Sequence, residues 1–229
     1  YHNLVKILRS LNKPKDAASI AKKAKYLFSS NHLFDGLLGD INADIGNFEE
    51  AIENYEKAIK KVPNDIETKC CTIYEYANFL VGIGRKKESI SCLRKVLKLN
   101  PKYSMAYYLL SDIFRSGEDE ALENIILNTQ ITNFDTLDDK YSILFAKSNI
   151  FHKKKEYEKS ADLLKQGNDL KLLDKPSDLE EYIKFWEKLK EKSNLDKSFD
   201  LPKFKFLRDI FIVGLPRSGS TLIESILGM

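Results

Sequence analysis

The chain has 229 residues, 43% hydrophobic and 31% charged, enough apolar surface for a core and too much for a disordered tail. Lys and Arg exceed Asp and Glu by only three (37 against 34), a balance that singles out neither nucleic acid nor an anionic membrane as a partner. No run approaches the ~18 apolar residues of a membrane span, and ten Gly and six Pro are few for an all-β chain rich in turns.

Along the chain the first signal is an internal repeat. Ala17 and Ala24 recur 34 residues on as Ala51 and Ala58, so Asp16–Ala24 is echoed by Glu50–Ala58. A third copy is shifted by 38: Ser89, Leu93, Val96 and Pro101 stand where Ala51, Tyr55, Ala58 and Pro63 stood. Four extra residues near Thr68–Cys71 account for the difference. Leu37, Leu38, Ile41 and Ile45 mark one helix, Gly46-Asn47 a turn, and Phe48, Ala51, Ile52, Tyr55, Ala58 and Ile59 the next. Paired helices approach closely only over small side chains, so Gly39, Ala51 and Ala58 are the expected crossing points. Pro63 and Pro101 are placed to stop the second helices. In the same register Tyr1, Leu4 and Leu8 fall on the first helix of an earlier copy, and the chain is read as starting inside a repeat.

Cys70, Cys71 and Cys92 make no disulfide framework and lack zinc-ligand spacing, with His2, His32 and His152 distant in sequence. They are expected as buried helix thiols in a reducing compartment. Beyond Pro101 the pattern loosens into helices at Ser104–Phe114 and Glu120–Leu127. It tightens again where Tyr157, Leu164 and Gly167 copy the spacing of Phe48, Tyr55 and Ala58, after a helix marked by Tyr141, Leu144, Phe145, Ser148 and Phe151. Gly167 therefore reads as a close helix contact rather than a helix end. The count is four helix pairs, the third degenerate. Lys153-Lys154-Lys155 is expected to be a solvated loop, with a phosphate or acidic peptide as the sharper reading. Ser177-Asp178-Leu179-Glu180 is a capping box opening a helix whose stripe of Leu179, Tyr182, Ile183, Trp186 and Leu189 should pack on the last repeat. Residues 193–205 read as a linker.

Residues 206–229 change character. Asp209–Val213 reads as a buried strand, Gly214-Leu215-Pro216-Arg217-Ser218-Gly219-Ser220-Thr221 as a glycine-bracketed turn, and Leu222, Ile223, Ile226 and Leu227 as a helix. Strand, turn and helix N-terminus together cradle an anion with backbone N–H groups. Gly214, Gly219 and Thr221 keep the spacing of a nucleotide-binding loop, but Ser220 replaces its Lys, which argues against a kinase or ATPase. The cation has moved to Arg217, one of only six Arg against 31 Lys, and its planar fork can hold two oxygens of a phosphate or phosphosulfate.

Leu38-Gly39, Gly46, Ala51, Tyr55, Ala58 and Pro63 resemble the tetratricopeptide repeat, although Asp35 stands where its early aromatic residue is expected. Phe211–Leu222 resembles the 5′-phosphosulfate loop of sulfotransferases that use 3′-phosphoadenosine-5′-phosphosulfate (PAPS). Repeats followed directly by such a loop, together with Leu163–Lys171, resemble the bacterial TPR-sulfotransferases, relatives of tyrosylprotein sulfotransferases. The resemblance implies a mainly α chain. A TPR-like α-α superhelical solenoid, with a capping helix at 177–192, would occupy residues 1–192. A truncated α/β P-loop-like sulfotransferase domain would open at 206–229. It implies that Pro216, Arg217, Ser218, Gly219, Ser220 and Thr221 bind PAPS without a metal, and that the catalytic base lies beyond the C-terminal end. The parent enzyme would transfer a sulfuryl group to a hydroxyl, with protein tyrosine as a candidate, this piece itself being inactive. The repeat groove would bind a protein or peptide, with no nucleic acid and no membrane, in the cytoplasm. The alternative is a non-catalytic TPR protein-interaction scaffold.

Overall fold

The computed structural model describes residues 1–114 and 117–176, together with positions 180, 183, 184, 187 and 188. The chain divides into two units, Tyr1–Ser177 and Asp178–Met229. Among the described residues of the first, ten α-helices follow one another: α1 (His2–Ser10), α2 (Pro14–Leu27), α3 (His32–Ile45), α4 (Phe48–Lys61), α5 (Ile66–Gly82), α6 (Lys86–Leu99), α7 (Ser104–Ile113), α8 (Glu120–Asn128), α9 (Leu137–Lys153) and α10 (Tyr157–Asp174). No strand occurs among the described residues, and the strand expected at 209–213 lies outside them. In the second unit the described positions are helical and exposed, Ile183 of the expected apolar stripe included.

The helices form five hairpins rather than four, because α1, only nine residues long, is a full partner for α2. Its inward residue is Val5, fully buried, whereas Tyr1 and Leu4 of the expected register are about half exposed. Four of the hairpins close on one turn. Asn12, Gly46, Gly84 and Lys155 each adopt a left-handed conformation. The next N–H in each case (Lys13, Asn47, Arg85, Glu156) bonds five residues back, to Leu8, Asn42, Leu80 and Phe151, at 2.8–2.9 Å. This satisfies carbonyls that a helix end leaves unpaired, and it suits glycine because a side chain strains that backbone. The prolines stop α4 and α6 as expected, two residues after Lys61 and after Leu99. The extra residues near Thr68 lengthen α5 to 17 residues against 14 for α3.

Within a hairpin the helices meet over small residues. A Cβ on Gly39 would stand 3.0 Å from the Tyr55 ring, and one on Gly167 would stand 2.5 Å from Phe145. Ala51 and Ala58 are fully buried. Between hairpins, α1, α3, α5, α7 and α9 touch in succession, and each second helix also packs on the first helix of the next pair. The first helices therefore form one continuous layer. The core runs along it from Val5, Leu38 and Ile41, through Tyr55, Tyr76 and Leu80, to Leu110, Ile126 and Ile143.

Hairpin α7–α8 departs from the rule, as its loose sequence pattern suggests. Its helices have ten and nine residues, and α7 packs chiefly on α9. The lysine run supplies the missing hold, which corrects the expectation of a solvated loop. Lys153 donates to the carbonyls of Ser111 (2.6 Å), Asp112 (2.6 Å) and Phe114 (2.8 Å), at the C-terminal end of α7 where a helix favours a cation. Lys154 pairs at 2.8 Å with Glu123, which is 2% exposed and also accepts the Gly117 N–H at 2.7 Å. Lys155 supplies the left-handed turn.

Candidate functional site

Counting back from each shared turn locates a face. Seven residues before it stand Val5, Gly39, Ala77 and Ser148, all buried. Six before it stand Lys6, Asp40, Asn78 and Asn149, all polar and none buried. Successive residues of a helix point about 100° apart, so the first set meets the partner helix while the second lines the outer side of the first-helix layer. Polarity at one fixed register in four hairpins was readable in the sequence, but only once the turns had been aligned.

Side chains from successive hairpins are joined on this face. Arg9 of α1 reaches Asp40 (2.7 Å) and Asp44 (2.7 Å) of α3, and the Tyr55 hydroxyl of α4 donates to Asp40. Burial and the Asp40 charge hold that phenol protonated far above its usual range. Glu75 of α5 has its carboxyl pushed up by desolvation and by Asp40, with Lys6 and His2 opposing. Tyr74 and Tyr103 lie with ring centroids 5.5 Å apart. Asn149 of α9 donates to the Ser111 hydroxyl of α7 at 3.1 Å, and Ser104 donates to Asp139 at 2.5 Å.

The cysteines differ from expectation. Cys70 is buried, but Cys71 is exposed and Cys92 half-buried, and none is paired. Desolvation and the neighbouring Glu75 raise the Cys71 thiol, so it stands protonated rather than as the reactive thiolate. Among the described residues no group of three or more His, Cys, Asp and Glu side chains is placed to share a metal. No described helix is long and apolar enough to cross a membrane. Pro216, Arg217, Ser218, Gly219, Ser220 and Thr221 all lie outside the described residues, as do Trp186 and its neighbours Tyr182 and Leu189.

Asp35, the departure from the repeat pattern, is fully buried between two lysines. Lys61 donates to Oδ2 at 2.6 Å, and Lys25 lies 2.6 Å from Oδ1 as an ion pair without hydrogen-bond alignment. A carboxylate with two cations thus replaces the aromatic ring and ties α2, α3 and α4 together. Burial lowers the pKa of the adjacent His32, against the pull of Asp35. No apolar periodicity could have announced this cluster.

The fold and the polar row that recurs in four of its hairpins define the class, a solenoid of helical hairpins. Residues 36–60 and 72–103 match the tetratricopeptide repeat model, so hairpins α3–α4 and α5–α6 carry tetratricopeptide repeats. An uncharacterized protein of Aquifex aeolicus (strain VF5) is 25% identical over 168 residues, 68% of this chain, which spans only 20% of that relative. The nearly identical TPR-like repeats crystallised from Podosopora anserina share 12% identity at a TM-score of 0.58, covering 77% of this chain and 95% of theirs. MamA from Desulfovibrio magneticus RS-1, residue 41 to the end, shares 16% at a TM-score of 0.51, covering 76% and 94%. At these identities the two structures speak for the fold alone.

Proposed function

We propose that the helical unit is a protein-interaction scaffold whose first-helix face holds a segment of a partner protein. The observation that carries this is the row Lys6, Asp40, Asn78 and Asn149. These polar groups recur at one register on a frame whose core is complete without them. Their donors and acceptors suit the backbone and polar side chains of a peptide laid across successive hairpins, and the tetratricopeptide match supports the reading. The three unpaired cysteines fit a reducing compartment. To test it, peptides selected from a random phage-displayed library on the whole chain are compared on the Lys6→Ala/Asn78→Ala/Asn149→Ala variant. The expected result is a loss of about tenfold or more in affinity with an unchanged circular dichroism spectrum. Equal affinity for both proteins rejects the face.

A second reading rests on the motif Gly214–Thr221. On it, Arg217 and the amides and hydroxyls of Ser218–Thr221 would hold the phosphosulfate of PAPS, as part of a sulfotransferase whose base lies further along the polypeptide. Titration with 3′-phosphoadenosine 5′-phosphate tests it in the longer protein. Arg217→Ala should abolish binding there, and unchanged binding would reject the assignment.

A further inference from the structure

We infer that the first-helix face carries a recess for one arginine side chain of the partner segment, built from the Glu75 carboxylate and the rings of Tyr74, Tyr103 and Tyr108. It rests on the scaffold reading above and adds to it the side chain that a partner must bring. Tyr74 and Glu75 precede Asn78 of the polar row by four and three residues, so all three share one side of α5. Tyr103 is the N-cap residue of α7, and Tyr108 stands in the second turn of that helix. The recess therefore lies inside the layer, with α3 on one side of it and α9 on the other.

The rings and the carboxylate are neighbours. Tyr74 and Tyr103 have centroids 5.5 Å apart with their planes at 48°. Burial raises the Tyr74 phenol and the Tyr108 phenol adds to the effect; burial likewise raises Tyr103, with Cys71, Tyr74 and Glu75 acting in the same direction. Tyr108 is 39% exposed, and Cys71 and Glu75 are exposed as well, so ring surface and carboxylate are both within a ligand's reach.

Glu75 is a charge without a counterpart. On α3, Asp35, Asp40 and Asp44 each hold a Lys or Arg at 2.6–2.7 Å. Among the described residues Glu75 forms no such ion pair. Lys6 and His2 act on it from beyond that range, and its hydrogen-bond contact is the Cys71 thiol at 3.9 Å. Asp40, itself negative, acts on it across the same face. A cation arriving here gains a carboxylate that the fold leaves unneutralised, whereas an anion such as phosphate is repelled. The rings select the kind of cation. A tyrosine face attracts a cation within about 6 Å of its centroid, and a guanidinium is flat enough to lie on one ring while its edge donates two N–H bonds to a carboxylate. A metal ion finds no such set of ligands, since no three His, Cys, Asp or Glu side chains are gathered among the described residues.

The test takes the whole chain and the peptides selected on it from a random library. Those that weaken on the Lys6→Ala/Asn78→Ala/Asn149→Ala variant should carry a shared arginine. Replacing that arginine by citrulline, which keeps the shape and removes the charge, should cost about tenfold or more in affinity on the unaltered chain and less than about twofold on Glu75→Gln. Tyr108→Leu should cost about threefold. In a chain carrying Cys92→Ser, bound peptide should protect the exposed Cys71 from alkylation by a maleimide, and the citrulline peptide at the same concentration should not. Peptides that need the polar row yet carry no arginine, or whose arginine matters equally with and without Glu75, overturn the recess and leave the scaffold reading standing. Peptides that bind regardless of the triple variant but keep the Glu75 coupling reject the polar row and leave the recess standing. A library that yields no binding peptide rejects both. Spermidine competing with the peptide as well as an arginine peptide does, a dimer that dissociates on Glu75→Gln, or a benzophenone on Cys71 that cross-links to the same chain beyond Asp174 would each give the recess another occupant and overturn the proposal.

Discussion

In hairpin α3–α4 the two helices meet where Gly39 leaves room for the Tyr55 ring, which is itself packed on Tyr76 and Phe79 at centroid distances of 5.5 and 5.2 Å. In hairpin α7–α8 the partners scarcely touch, and the hold comes from the end of α9, through Lys153 on three carbonyls and Lys154 on a buried Glu123. One joint is steric and the other electrical. Both sit in the same array and keep the same layer of first helices, so the architecture does not depend on a single kind of contact. It requires only that each second helix be fixed to something.

The contrast breaks most sharply at Lys154. Lys154→Met leaves Glu123 buried with the Gly117 N–H as its hydrogen-bond donor among the described residues. Removing a partner from a buried pair costs about 3–5 kcal/mol, and because Lys154 is itself one-third exposed the expected loss is about 2–3 kcal/mol, read as a lowered urea midpoint. The steric joint is tested by two glycines of one helix. Gly39→Ala should lose about 1 kcal/mol, since crowding of a pinned ring outweighs the ~1 kcal/mol helix-propensity gain. Gly36→Ala, with nothing within 4 Å of its Cβ, should gain about that propensity term. A melting series in which both variants shift the same way would remove the steric account. At the shared turn, Lys155→Gly should stabilise by about 0.5–1 kcal/mol in chemical denaturation, because Lys occupies a left-handed position that Gly46 and Gly84 fill elsewhere.

The smallest expected effect is in pH. Burial opposes ionisation of Glu123, but Lys154 and the Gly117 N–H outweigh it and lower its pKa. Its contribution is therefore complete above the ordinary carboxylate range and is lost as pH falls toward the lowered value. Glu75 is raised by desolvation and Asp40, so its term favours the fold at low pH and is lost as pH rises through the raised value. Glu123→Gln should flatten the acid limb of a stability–pH curve, and Glu75→Gln should lessen the decline above it. An identical curve for all three proteins would contradict both assignments.

Much of the array was legible in the sequence because its determinants are periodic. The 34- and 38-residue shifts, the prolines after α4 and α6, and the tight seat at Gly167 all follow from spacing and side-chain size. What escaped has no period. Asp35 with Lys25 and Lys61, Arg9 with Asp40, and Lys153 with the end of α7 are charges brought together across 10 to 42 positions. A run of three lysines looks solvated until the carbonyls it faces are known. Of the candidate sites, the polar row became visible only once the turns were aligned. The phosphosulfate motif, the most specific sequence signal, lies outside the described residues and stands on its residues alone.

The shared turns also set a ruler. Those at Gly84 and Lys155 are 71 residues apart, close to two of the regular 34- to 38-residue steps, so the irregular hairpin between them occupies one full period. Asn149 therefore returns to the row in phase and meets α7 through Ser111. A ligand spanning the face would meet the row again, in phase, beyond the hairpin where the sequence pattern fades. Length changes in the α7–α8 connection would leave the marks at Asp40 and Asn78 in place while displacing everything from α9 onward by one common offset.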